Sequence, residues 1–154
     1  MTRVVLVYES KYGNTKLVAK TIAEGVREVG GIETILCEVK EVDFDKILDY
    51  DVILIGSPNH IGRPLRSVRK FIEKLGKLNL EGKQIAVFDT CIGSDFEKAV
   101  KKMEKRISEK VPGLKPMVPG LSIKVQGIKG PILDGELPRC KDFGRKIGTQ
   151  INTW

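Results

Sequence analysis

Short apolar runs of strand length recur along this chain, and a segment of helical periodicity follows most of them. "RVVLVY" at residues 3–8, "DVILIG" at 51–56 and "KQIAVFDT" at 83–90 are almost unbroken in hydrophobicity and rich in β-branched side chains. A strand with one wet face alternates apolar and polar residues. Runs like these bury both faces, so helices must cover the sheet on both sides. The chain supplies those helices. Residues 15–29 place Val18, Ile22, Val26 and Val29 on one face with Ala19 and Ala23 beside them, and Gly30-Gly31 stops the helix. A helix starting at Pro64 carries Leu65, Val68, Ile72 and Leu75 on one face. A third helix, over 95–110, is expected to bury Phe96, Ala99, Val100, Met103 and Ile107. Strands at 32–39 and 117–125, a short helix at 44–48 and a closing helix at 136–152 complete the reading. The Pro- and Gly-rich stretch 111–120 reads as a loop before the last strand.

Strict β-α alternation implies parallel strands joined by right-handed crossovers. The expected fold is α/β, a three-layer α/β/α sandwich around a five-stranded parallel sheet in the order 2-1-3-4-5. A chain of 154 residues fits one such domain over 1–154. Ligands of these sheets sit beyond the carboxyl ends of the strands, where strand order reverses. Here that crevice lies between strands 1 and 3, and its walls are the loops 9–15, 56–63 and 90–95.

The first of those loops, "ESKYGNT", opens a helix. The leading N–H groups of a helix have no internal acceptor, and the helix dipole adds partial positive charge there. A phosphate supplies the missing acceptors. Ser10, Asn14 and Thr15 add side-chain donors, Gly13 allows a tight curl, and Lys11 and Lys16 add charge at longer range. Helix capping by Asn14 or Thr15 would explain one polar residue but not the set. Neither GxxxxGK[ST] nor GxGxxG is present, which argues against a P-loop and a dinucleotide fold. A phospho-receiver would need an aspartate ending strand 3, whereas that strand ends "ILIGSP".

"YESKYGNT" resembles the FMN phosphate loop of the flavodoxin family, with Tyr12 standing where a small hydroxyl is usual. "DVILIGSPNHIGRP" and "VFDTCIGS" are similar to that family's second and third loops, and the tail from Gly130 to its closing helix. The resemblance implies an FMN-binding redox protein, or alternatively an FMN oxidoreductase of the quinone-reductase or protoporphyrinogen-oxidase type. It implies a phosphate site at Ser10, Lys11, Tyr12, Gly13, Asn14 and Thr15. It implies a ring site at Ser57, Pro58, Asn59, His60, Ile61 and Gly62 on the second loop and at Thr90, Cys91, Ile92 and Gly93 on the third. His60, the one histidine, has three readings: a flavin contact, a proton donor, or a surface residue. Cys91 is either a flavin neighbour or a packed thiol. Unlike the acidic electron carriers of that family, this chain offers no Trp or Tyr in loops two and three.

Formal net charge is +7, which favours acidic partners. An acidic, ferredoxin-like redox protein or a small-molecule acceptor is therefore expected. Nucleic acid is not, because the basic residues alternate with Glu, as in "KKMEKRISEK", and no basic stripe carries aromatics. Arg63, Arg66, Arg69 and Lys70 follow the second loop, either beside the flavin edge or on a solvated outer face. Three widely spaced cysteines and one histidine argue against a zinc site or a disulfide framework. No apolar stretch is long enough to cross a bilayer, and the N-terminus does not read as a signal peptide, so a cytoplasmic location is expected.

Overall fold

The computed structural model describes residues 1–154. Strand β1 (Thr2–Tyr8) leads into helix α1 (Asn14–Val29), and β2 (Ile32–Glu38) is followed by the one-turn helix α2 (Phe44–Ile47). Strand β3 (Val52–His60) turns into the two-residue β4 (Arg63–Pro64) before α3 (Arg66–Leu75). Then come β5 (Gln84–Cys91), α4 (Lys98–Lys110), β6 (Lys115–Pro116), β7 (Leu121–Lys124) and α5 (Glu136–Ile151).

The sheet runs β2-β1-β3-β5, and β6 and β7 both lie along the outer side of β5. All of these pairings are parallel. The expected five-position order therefore holds, with the fifth position filled by two short pieces. The break falls at residues 117–120. The stretch 111–120 is accordingly not all loop, since β6 lies within it.

Alternation along the strands sends residues into two cores. Val4, Leu6, Val52, Leu54, Ala86 and Phe88 pack under α1 and α5, while Val5, Val7, Ile53, Ile55, Ile85 and Val87 pack under α3 and α4. Helices α1 and α5 approach closely because both lines of contact are glycine. A Cβ at Gly25 would collide with the Lys141 carbonyl oxygen, and one at Gly144 with that of Ile22.

Pairing between β1 and β3 ends at Tyr8 and Gly56, while β3 stays paired with β5 as far as Pro58 and Thr90. That difference opens the crevice. Three sequence readings shift here. Residues 57–60 continue β3 instead of forming an irregular loop, and they fold back as a hairpin pairing Asn59 with Pro64 and His60 with Arg63. Pro64 therefore belongs to the hairpin, and α3 starts two residues later. Helix α4 starts at Lys98 after a 3-10 turn at Gly93–Asp95, and Phe96 is not buried, at 36% exposure.

Candidate functional site

A cavity of about 470 Å³ lies over the carboxyl ends of β1, β3 and β5. Its first wall is the β1–α1 turn. Gly13 takes a φ of 92°, which positions the start of α1 without any cap from its own side chain. Neither Asn14 nor Thr15 caps the helix. Ser10 does so from outside, its Oγ accepting the N–H of Gly13 at 3.1 Å and of Lys16 at 3.3 Å. Accepting leaves its own O–H available. The N–H groups of Lys11, Tyr12, Asn14 and Thr15 donate to no protein acceptor. Thr15 is buried, and its Oγ1 lies 3.0 Å from Thr90 Oγ1, tying this wall to β5.

The second wall is the β3–β4 hairpin. Ile61 and Gly62 form its tip with φ of 52° and 72°, the double positive that a two-residue hairpin turn of matching twist requires. Glycine adopts this freely, whereas a β-branched residue is strained there. Ile61 is also 77% exposed. Pro58, Asn59, His60 and Ile61 line the cavity. Ser57 does not. It is wholly buried behind the wall, where its Oγ donates to Pro58 O and accepts from Leu65 N, each at 2.9 Å. Gly62 turns away toward Lys98.

Thr90, Cys91 and Ile92 form the third wall, and Gly93 lies beyond it in the 3-10 turn. Cys91 is buried, with Sγ 3.3 Å from Ser122 Oγ, and burial pushes its thiol pKa up. That leaves it a protonated, packed thiol, unsuited to nucleophilic work.

Beneath the second and third walls lies Asp89, fully buried at the end of β5. Its carboxylate accepts from Ser122 Oγ at 2.6 Å, Val100 N at 3.0 Å and Asn59 Nδ2 at 3.1 Å. Burial nevertheless outweighs those donors and raises its pKa to about 6. With its Nδ2 held by Asp89, Asn59 keeps a buried Oδ1 that has no partner.

Sequence reasoning missed a fourth wall. Val125 and Ile128, from the turn after β7, line the cavity together with Leu65 and Asp95. Lys129 Nζ stands 5.9 Å over the Tyr12 ring, and the Asn14 amide packs on Gly130, whose φ is 94°. The signal was present: "QGIKGP" is a turn at the carboxyl end of a strand beside β5, so it faces the same crevice. Arg63 and Arg66 do not line the cavity; Arg63 faces α4 instead.

The parallel sheet, covered by helices on both faces and with its crevice at the point where strand order reverses, defines a doubly wound α/β protein. The flavodoxin domain family matches residues 5–121, and the chain belongs to that family. A flavodoxin of Clostridium saccharobutylicum is 34% identical over 89 residues, 58% of this chain and 56% of that protein. One from Aquifex aeolicus is 32% identical over 96 residues, 60% of this chain and 52% of that one. An NAD(P)H dehydrogenase (quinone) of Chromohalobacter salexigens is 30% identical over 106 residues, 55% of this chain and 53% of that protein. The alignments thus span about half the length of these relatives. Among solved structures, a flavodoxin from the domain Archaea superposes with a TM-score of 0.84 at 25% identity, covering 98% of this chain and 99% of that one.

Proposed function

We propose that this protein binds FMN non-covalently at the crevice and passes electrons through it. The observation that carries this reading is the set of four backbone N–H groups, at Lys11, Tyr12, Asn14 and Thr15, that lack a protein acceptor at the start of α1. Four unsatisfied donors beside a helix dipole suit a phosphate dianion, and the hydroxyl of Ser10 adds a fifth. The cavity volume of about 470 Å³ suits a ligand of nucleotide size, within the ~300–1,000 Å³ usual for such sites. Its mouth carries apolar surface from Tyr12, Ile61, Ile92 and Ile128, which suits a flat heteroaromatic ring.

Bound flavin supplies reversible electron uptake and release. The chain's own residues orient and enclose it. On this reading Ser10, Lys11, Tyr12, Gly13, Asn14 and Thr15 hold the phosphate. Pro58, Asn59, His60 and Ile61 face the ring from one side, with Ser57 and Gly62 shaping the hairpin. Thr90, Cys91, Ile92 and Gly93 approach from the other, and Asn59 Oδ1 offers a buried acceptor. The donor or acceptor we favour is an acidic, ferredoxin-like protein, given the charge of +7. Three free thiols and the absence of any helix long and apolar enough to cross a membrane support a place in the reducing cytoplasm.

The test is a fluorescence titration comparing FMN with riboflavin. FMN should bind more tightly by at least about a hundredfold, since several charge-assisted bonds are lost with the phosphate. Equal affinities would move the phosphate site elsewhere. One observation favours a second reading, an FMN-dependent quinone reductase. No Trp, Tyr or Phe from the hairpin or the third wall lines the cavity, which leaves room for a nicotinamide to approach. Oxidation of NAD(P)H with a quinone acceptor, faster than free FMN supports, would favour that enzyme over the carrier.

A further inference from the structure

Positive charge on this protein is arranged differently on its two helical faces. On the α1–α5 face Lys141 and Arg145 pair with Glu28, Lys141 also reaches Glu24, Arg145 reaches Asp142 and Arg139 pairs with Glu136, while Lys16, Lys20, Arg27 and Lys146 have no carboxylate partner. On the α3–α4 face five cations without partners are gathered in one groove. This groove, of about 460 Å³, runs between β4, α3 and α4. Its cations are Arg63, Arg69, Lys102, Lys105, Arg106 and Lys110, against the carboxylates of Glu73 and Glu109. Arg106 is paired with Glu73, while the other five cations have no carboxylate within salt-bridge distance. The Nε of Arg69 is buried without an acceptor. Like charges held together repel one another, so this arrangement is unfavourable until an anionic surface meets it.

The groove begins at the flavin hairpin. Arg63 is the register partner of His60. A Cβ on Gly62 would sit 3.2 Å from Lys98 Cδ and 3.9 Å from Lys102 Nζ, so the hairpin tip rests on the start of α4. From Lys102 to Lys110 the helix advances about 12 Å at ~1.5 Å per residue. At the cavity mouth, Ile61 on the hairpin and Ile128 on the turn after β7 are 77% and 76% exposed. Exposed apolar side chains flanked by a charged strip match the layout of a transient protein interface.

We propose that this strip, with Ile61 and Ile128 at its head, is the docking surface for an acidic redox protein presenting a row of carboxylates about 12 Å long, equivalent to about two helical turns. The proposal rests on the FMN reading for its electron-transfer role. Docking there brings the partner's iron–sulfur centre beside the hairpin. An electron leaving that centre oxidises it and reduces the flavin, or the reverse, with no bond made or broken. A small anion suits the groove less well, because the cations are strung out instead of converging and no large apolar side chain lines it. A polynucleotide also suits it less well, because no aromatic side chain is available for base stacking and two carboxylates face the groove.

The test compares the full chain with two charge-matched variants. One carries Lys102→Glu, Lys105→Glu and Lys110→Glu; the other carries Lys20→Glu, Lys46→Glu and Lys146→Glu, outside the groove. The probes are an acidic [4Fe–4S] ferredoxin, a basic cytochrome c and poly(U), titrated calorimetrically at low and physiological salt. The groove variant should lose at least about tenfold in ferredoxin affinity and most of its salt dependence, and the control variant less than about threefold. Cytochrome c should not bind. Equal losses in the two variants, no ferredoxin binding at low salt, or tighter binding of poly(U) through the same lysines would each overturn the proposal. If the groove variant fails to fold, the wild-type choice between ferredoxin and cytochrome c and its salt dependence still decide. FMN titration of each protein reads the cofactor separately. Intact FMN binding without groove-dependent docking sinks the docking surface alone, and absent FMN binding sinks the flavin reading alone.

Discussion

Asp89 permits a worked prediction. It sits at the end of β5 with no exposed surface and no cation bonded to it. Its three donors, Ser122 Oγ, Val100 N and Asn59 Nδ2, come from β7, α4 and the β3–β4 hairpin, so one carboxylate joins three elements around the crevice. Burial comes first among the causes of its raised pKa; the three donors oppose it, and the negative charge of Glu97 adds to it. The value moves from 3.8 to about 6. At ~1.36 kcal/mol per unit, that shift corresponds to about 3 kcal/mol. Because the folded-state pKa is raised, the native state binds the proton more tightly than the unfolded chain. The associated stability is fully present below about pH 4 and is lost as pH rises through about 6. Asp89→Asn has no such proton. It loses one acceptor for the surrounding donors, which offsets its stability by an amount that does not vary with pH. The difference between variant and wild type should therefore drift by about 2 kcal/mol in favour of the variant between pH 4 and pH 7.5, the rest of the shift falling below pH 4. Urea unfolding of both proteins without flavin, at half-unit pH steps, measures it. Every other titrating group is common to the two and cancels. A difference that stays flat across this range, or drifts the other way, would refute the argument.

Ile61→Asn should stabilise the protein by roughly 1 kcal/mol, because Asn tolerates positive φ where a β-branched residue does not; thermal unfolding without flavin reads this. The same change should weaken FMN binding if the exposed isoleucine covers the ring. Gly144→Ala should cost several kcal/mol or prevent folding, since its methyl would strike the Ile22 carbonyl oxygen and force α1 and α5 apart. Thr15→Val strands the buried hydroxyl of Thr90 and should cost roughly 1–3 kcal/mol in urea unfolding. Ser10→Ala should weaken FMN by roughly 1.5–3 kcal/mol in the fluorescence titration, through loss of a charge-assisted bond and of the helix cap.

The parts of this fold that could be read from sequence are those set by periodicity. "VVLVY", "VILIG" and "IAVFD" can be buried on both faces only in a covered parallel sheet, and the helical stripes of α1, α3 and α5 show which faces cover it. The hairpin was less legible. "SPNHIGRP" carries two prolines and no alternation, and its strand character comes from pairing with β5 and with itself. The turn at Ile61 and Gly62 was hidden for the same reason, because a β-branched residue is a poor indicator of positive φ. Of the site, the three walls that end β1, β3 and β5 could be located by topology. The fourth wall followed from the same topology, since the expected strand 117–125 ends next to the turn "QGIKGP", but that turn carries no run of hydroxyl and amide side chains to mark it as part of a site. The buried carboxylate of Asp89 was likewise hidden, since an aspartate in "VFDTC" reads as the polar end of a strand, and its depth emerges only once Ser122, Val100 and Asn59 are seen to surround it.

These misses share a cause. Local preference loses to tertiary constraint at the crevice: an isoleucine takes a glycine's conformation, and a carboxylate is buried without a cation. Each departure costs stability, and elsewhere in the sheet the strands follow their preferences closely. Both departures lie at the walls of the crevice, where strain of this kind serves a binding site. The groove along α3 and α4 extends that logic to the surface. There five cations stand without carboxylate partners although the α1–α5 face shows that this chain readily makes such pairs, and the unpaired strip begins where the strained hairpin ends.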